Sequence, residues 1–162
     1  AEIALNMGDT ELAVKQYLEQ AKSQENPDIA ERAVRVALYG QELESAIEAA
    51  NRWIELDPKR VEARQIIAAI YIRQDKIPEA FNYVNDLIQT SELEDEQLFP
   101  PLLGILAREK NANTVLAVTQ RLAQKNPSRA YAQYLHGMLA AQNGRSEEPL
   151  KYLDRSNALA QI

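Results

Sequence analysis

Apolar residues recur at intervals of three and four along the chain, the period of helices with one buried face. Ala33, Val34, Ala37 and Leu38 form one such block, followed by Ala46, Ile47, Ala50, Trp53 and Ile54. Ile66, Ile67, Ile70 and Tyr71 form the next, followed by Ala80, Val84, Leu87 and Ile88. Each pair of blocks is split by a short polar phrase, so it reads as two helices joined by a tight turn.

The polar phrase itself repeats. Gly8-Asp9-Thr10-Glu11-Leu12-Ala13 is echoed by Gln41-Glu42-Leu43-Glu44-Ser45-Ala46, by Asp75-Lys76-Ile77-Pro78-Glu79-Ala80 and by Gly144-Arg145-Ser146-Glu147-Glu148-Pro149. Lys110-Asn111-Ala112-Asn113-Thr114-Val115 is a weaker copy. The copies end at 13, 46, 80, 115 and 149, steps of 33, 34, 35 and 34. A fixed period in this range marks stacked helical hairpins. The small residue closing each phrase belongs where two helices come close. Gly8 and Gly144 supply the backbone freedom that ends the first helix of a pair. Asn26-Pro27, Asp57-Pro58 and Asn126-Pro127 are expected to end the second, because Pro cannot donate the next helical hydrogen bond.

The expected organisation is therefore one all-α segment of about four and a half repeats. Residues 1–26 form a partial repeat, followed by 27–60, 61–94, 95–128 and 129–162. The repeat at 95–128 is degenerate, with Val115 in place of a smaller residue and Pro100-Pro101 inside its first helix. Pro149 is tolerable as a first-turn residue. The acidic stretch from Glu92 to Glu96 reads as a seam, with its carboxylates favoured at the start of the next helix. Ala1 to Met7 and the apolar close Ala158 to Ile162 lack the polar caps that finish a repeat array. They raise the expectations of a segment cut from a longer array and of self-association through its ends.

Charge and chemistry narrow the function. Asp and Glu outnumber Lys and Arg by 24 to 18, a net charge of −6, which argues against a nucleic-acid backbone as partner. Without cysteine there is no thiolate metal site and no cysteine nucleophile. The one histidine, His136, has no second His or HExxH spacing around it and reads as a helix packing residue. The acidic seam lacks the spacing of a calcium loop, and no phosphate-binding glycine motif or nucleophile elbow occurs. Neither catalytic residues, a metal site nor a cofactor are expected.

Ala46, Ala50, Trp53 and Pro58, and again Ala80, Val84 and Leu87, follow the order of the tetratricopeptide repeat, which the whole chain resembles. That resemblance implies antiparallel hairpins stacked in a right-handed superhelix, an α-solenoid, with first helices lining a concave groove. Projected onto this chain it places Glu31, Arg35, Leu38 and Tyr39 in the groove, then Gln65, Ala69, Ile72 and Arg73, then Tyr131, Tyr134, Met138 and Gln142. Tyr and Arg are the side chains that most often carry interface energy. Arg35, Tyr39, Gln65, Arg73, Tyr131 and Tyr134 are therefore the candidate partner-binding residues. Chaperone-tail-binding members hold a terminal carboxylate with Lys and Asn. Glu31, Arg35, Gln65 and Ala69 do not make that clamp.

A narrower likeness rests on Ala1-Glu2-Ile3-Ala4, on Ala13-Val14-Lys15-Gln16-Tyr17, on Pro27-Asp28-Ile29-Ala30-Glu31-Arg32-Ala33, and on Trp53 with Asp57-Pro58. These are similar to bacterial outer-membrane tetratricopeptide lipoproteins that bring substrates to a periplasmic carboxy-terminal processing protease. The likeness implies a non-enzymatic adaptor at the periplasmic face of the outer membrane. Its partners would be the protease and its substrates, and it would touch the membrane only through a lipid anchor outside this segment. An assembly factor for pili or polysaccharide export is the alternative of another class, and co-purifying partners would separate the two.

Overall fold

The structure, a computed structural model, describes residues 9–144. The expectations for Ala1 to Gly8, for Pro149 and for the apolar close lie outside the described residues. Among the described residues all regular structure is helical: α1 Thr10–Ser23, α2 Pro27–Tyr39, α3 Leu43–Leu56, α4 Val61–Arg73, α5 Ile77–Thr90, α6 Asp95–Ala107, α7 Ala112–Lys125 and α8 Ala130–Gln142. Each has 13 or 14 residues. No helix among them is long and apolar enough to cross a membrane. They fall into two compact units, one ending at Ile70 and the other beginning at Tyr71, inside α4.

Local chemistry sets the ends. The Asp9 carboxylate accepts from Leu12 N at 3.1 Å to cap α1, and Asn26 accepts from Asp28 N at 2.9 Å to cap α2. Pro27 is therefore the first residue of α2 rather than a terminator of α1, a position where its missing N–H is not needed. Asp57 and Asn126 do end α3 and α7, with Pro just beyond. In the turn after α2, Glu42 N reaches Ala37 O at 2.9 Å and Gln41 sits at φ 59°. The turn after α4 repeats it: Lys76 N reaches Tyr71 O at 2.9 Å and Asp75 sits at φ 57°. Gly144 fills the same role after α8 at φ 78°. This is the hydrogen-bond pattern of a left-handed helix stop.

In the first unit α2 and α3 form a hairpin, and α1 packs against both. The phrase-closing Ala13 and Ala46 are fully buried. Trp53 is buried beneath the Arg60 guanidinium, which lies 5.5 Å from its ring centre. Arg52 crosses to the end of α1 and donates to Ala21 O at 2.9 Å. Ile54 and Ile66, expected inside, are half-buried because they lie at the edges of their apolar stripes, and Leu38, placed in the groove, is half-buried as well.

In the second unit α5 packs beside α7 and α6 beside α8, so like helices of successive hairpins are neighbours. Val84, Leu87, Ile88, Leu102, Leu106, Leu122 and Leu139 form the core with Phe99. Ala80 and Val115, the phrase-closing residues here, are both buried, Val115 despite its extra bulk. Tyr71 is half-buried, its ring 5.8 Å from that of Tyr83. Pro100 and Pro101 lie inside α6 with no cis bond. They withdraw two amide donors from the carbonyls of Glu96 and Gln97, both exposed residues that water can reach. Asp95 and Glu96 occupy the first turn of α6, where carboxylates are favoured.

Candidate functional site

In the first unit, Arg35 and Tyr39 stand one turn apart on α2 and Gln65 lies on α4. Arg35 Nη2 donates to Glu31 Oε1 at 2.7 Å, an (i, i+4) pair on an exposed helix face. That bond holds the guanidinium above its ordinary pKa; burial opposes it, and the charges of Glu31 and Glu62 each add a smaller upward pull. Asp28, Glu31, Arg32 and Arg35 rim an open depression of about 390 Å³. Two acids and two bases offset one another there, so the depression favours neither charge. Tyr39 is 74% exposed, with its ring largely in solvent. Gln65 is half-buried.

In the second unit, Arg73 is tied down. Its Nε and Nη2 donate to the two carboxylate oxygens of Glu109 at 3.1 and 3.2 Å, the forked pairing of guanidinium with carboxylate. Glu109 is nearly buried while Arg73 stays half-exposed, so the arginine covers the acid. Ile72, expected to line the groove beside it, is fully buried. Asp75 accepts from Thr114 Oγ1 at 2.7 Å and from Asn111 Nδ2 at 2.8 Å. These two bonds, Thr114 first, hold its carboxyl below the usual range.

Tyr131 and Tyr134 come together with residues that the repeat pattern did not single out. Phe99, Pro100 and Leu103 of α6 face Tyr131, Tyr134 and Leu135 of α8 across a cleft of about 130 Å³. Phe99 and Leu135 are buried and form its floor, whereas Leu103 and the two tyrosines are half-buried walls. The Phe99 and Tyr131 rings lie 5.7 Å apart at 33°. Beside them Arg129 lies 5.5 Å over the Phe99 ring, donates to Ile88 O at 2.8 Å and grips Asp95 at 2.7 Å. That clamp fixes the start of α8 against the start of α6 and so sets the width of the cleft. Further along, Gln142 Nε2 donates to Ala107 O at 3.1 Å, which ties the far ends of the same helices.

His136 lies on the buried side of α8, its Nδ1 2.8 Å from Thr119 Oγ1. Thr119 Oγ1 is 3.0 Å from Val115 O, and a hydroxyl proton directed there leaves the ring N–H on Nδ1 to donate. The packing role read for His136 is the one it has.

No family model matches the chain. The TPR repeat-containing protein PA4667 of Pseudomonas aeruginosa is 24% identical over 161 residues, 98% of this chain, and the chain spans 27% of that relative. Two crystal structures of MamA superpose with a TM-score of 0.50 at 16% identity. They cover 98% and 99% of this chain and 92% and 87% of theirs. The fold is of the tetratricopeptide type. Sequence reasoning reached the tyrosines of the cleft but missed Phe99, Pro100 and Leu103. A tetratricopeptide first helix takes apolar residues on both its packed and its open side, so spacing alone does not separate them. The signal was the proline pair itself, an apolar and rigid surface where a helix would ordinarily carry donors.

Proposed function

We propose that this chain is a non-enzymatic protein-binding scaffold and, within that class, an adaptor that delivers substrates to a carboxy-terminal processing protease at the periplasmic face of the outer membrane. The observation that carries the scaffold reading is the cleft between α6 and α8, an aromatic, half-open recess held at both ends by side-chain clamps. A preformed recess lowers the ordering cost when a partner docks. The arginines of the predicted strip are held in ion pairs, Arg35 with Glu31 and Arg73 with Glu109, rather than converging on a reacting centre. The adaptor reading is supported by the likeness carried on Pro27 to Ala33, Trp53 and Asp57-Pro58. It gains from the tetratricopeptide relative in a bacterium with an outer membrane.

An adaptor works by raising local concentration. Holding a substrate on one surface while another grips the protease makes their encounter effectively intramolecular. Mixing the full-length protein with the processing protease and following the mixture by analytical ultracentrifugation tests this. The adaptor reading expects a stable complex, weakened about tenfold by Arg35→Ala with Tyr39→Ala or by Tyr131→Ala with Tyr134→Ala, with helicity unchanged. Separate sedimentation of the two proteins removes the adaptor role, and indifference of the complex to both pairs removes those residues from it.

A further inference from the structure

The two helices that form the cleft carry an unusual charge pattern. Across α6 and α8 the only carboxylates are those of Asp95 and Glu96, and neither helix contains Lys or Arg. The nearest cation at their N-terminal ends, Arg129, is engaged by Asp95. Glu94 precedes α6 and is exposed, as is Glu96. Glu96 lies one turn before Pro100 and two before Leu103, on the face that borders the cleft. The recess is thus apolar inside and negative along one rim. Its size is also informative. An apolar cavity of about 150 Å³ takes one benzene ring, so about 130 Å³ admits a single aliphatic or aromatic side chain.

From this juxtaposition we propose that the cleft between α6 and α8 receives one apolar side chain from a basic segment of a partner protein, whose flanking Lys or Arg face Glu94 and Glu96. The inference rests on the scaffold reading and names the chemistry of its partner. The apolar side chain displaces water from Pro100, Leu103 and the tyrosine rings above the buried floor of Phe99 and Leu135, which supplies affinity. Glu94 and Glu96 supply selectivity, because an acidic segment brought to the same rim meets like charges. The Tyr131 and Tyr134 rings border the entrance and offer faces on which a cation can rest.

Fluorescence anisotropy of the full chain with three labelled peptides tests it. One peptide has a single Leu among lysines, the second replaces the lysines by Glu, and the third replaces the Leu by Ser. The first should bind about tenfold or more tighter than either of the others. Its affinity should fall severalfold from about 50 to about 300 mM salt. Glu96→Lys, an exposed change that leaves the core intact, should weaken it about fivefold. Tyr134→Ala should weaken it about tenfold. No binding of the Lys–Leu peptide, equal binding of the acidic peptide, or indifference to both variants overturns the inference. Failure of the scaffold reading is a different result: no natural partner contacts the cleft at all. A partner trapped there through an acidic segment keeps the scaffold and discards the basic ligand.

Discussion

Gln41 adopts φ 59° at the stop of α2, a left-handed conformation in which a side chain costs about 1–2 kcal/mol. The neighbouring glycine stands one residue earlier. Gly40 has φ −79°, and a Cβ there would meet Val14 Cγ2 at 3.3 Å, so its smallness serves the approach of α1 rather than the turn. Gln41→Gly should therefore stabilise the first unit by about 0.5 kcal/mol, the relief of strain less the extra backbone entropy of glycine. Urea unfolding checks it, and an unchanged or lower midpoint contradicts it. Gly104 is the opposite case. It lies inside α6, and a Cβ there meets nothing within 4 Å. Gly104→Ala should raise stability by about 0.5–1 kcal/mol in the same assay. Neither position was legible from residue type alone, since glycine marks a turn, a close approach and an idle helix site alike.

Between elements, the decisive contacts join residues about one repeat apart. Asp75 to Thr114 is such a contact, and its pH dependence has a definite sign. Hydrogen bonds hold the folded carboxyl below its unfolded pKa, so the stabilisation is present above the ordinary carboxylate range. It is lost as pH falls through the depressed folded value. Thr114→Val should lower the urea midpoint at neutral pH and narrow its difference from that at about pH 3, where other carboxylates still contribute. An equally steep acid loss in the variant would contradict this. Arg129 joins α5, α6 and α8 through Ile88 O, Asp95 and the Phe99 ring. Arg129→Ala should cost about 1–3 kcal/mol, and Arg129→Lys less, because it keeps the charge but not the fork. The start of α6 at Asp95 was legible because first-turn carboxylates sit in plain order along the chain, whereas Pro27, read as a terminator, turned out to open α2. The pairing of Arg73 with Glu109 was not read: the repeat step brings them together, but only backbone geometry decides that they meet rather than face a partner.

For the molecule as a whole, repetition made the architecture legible and hid the site. Ala13, Ala46, Ala80 and Val115 recur at the expected step and are all buried. The repeat that departs most from the pattern, with its proline pair, supplies half of the recess. The candidate recess thus lies where the repeat is broken.

The central claim is that the recess of α6 and α8 is where another protein is held. A photo-activatable benzophenone residue in place of Tyr134, with Gln120 on the exposed face of α7 as the control position, tests it in cells that make the full-length protein. The account predicts a discrete adduct from position 134, lost when Leu103→Glu is added, and none from position 120. No adduct at 134, or the same adduct from both positions, would contradict it.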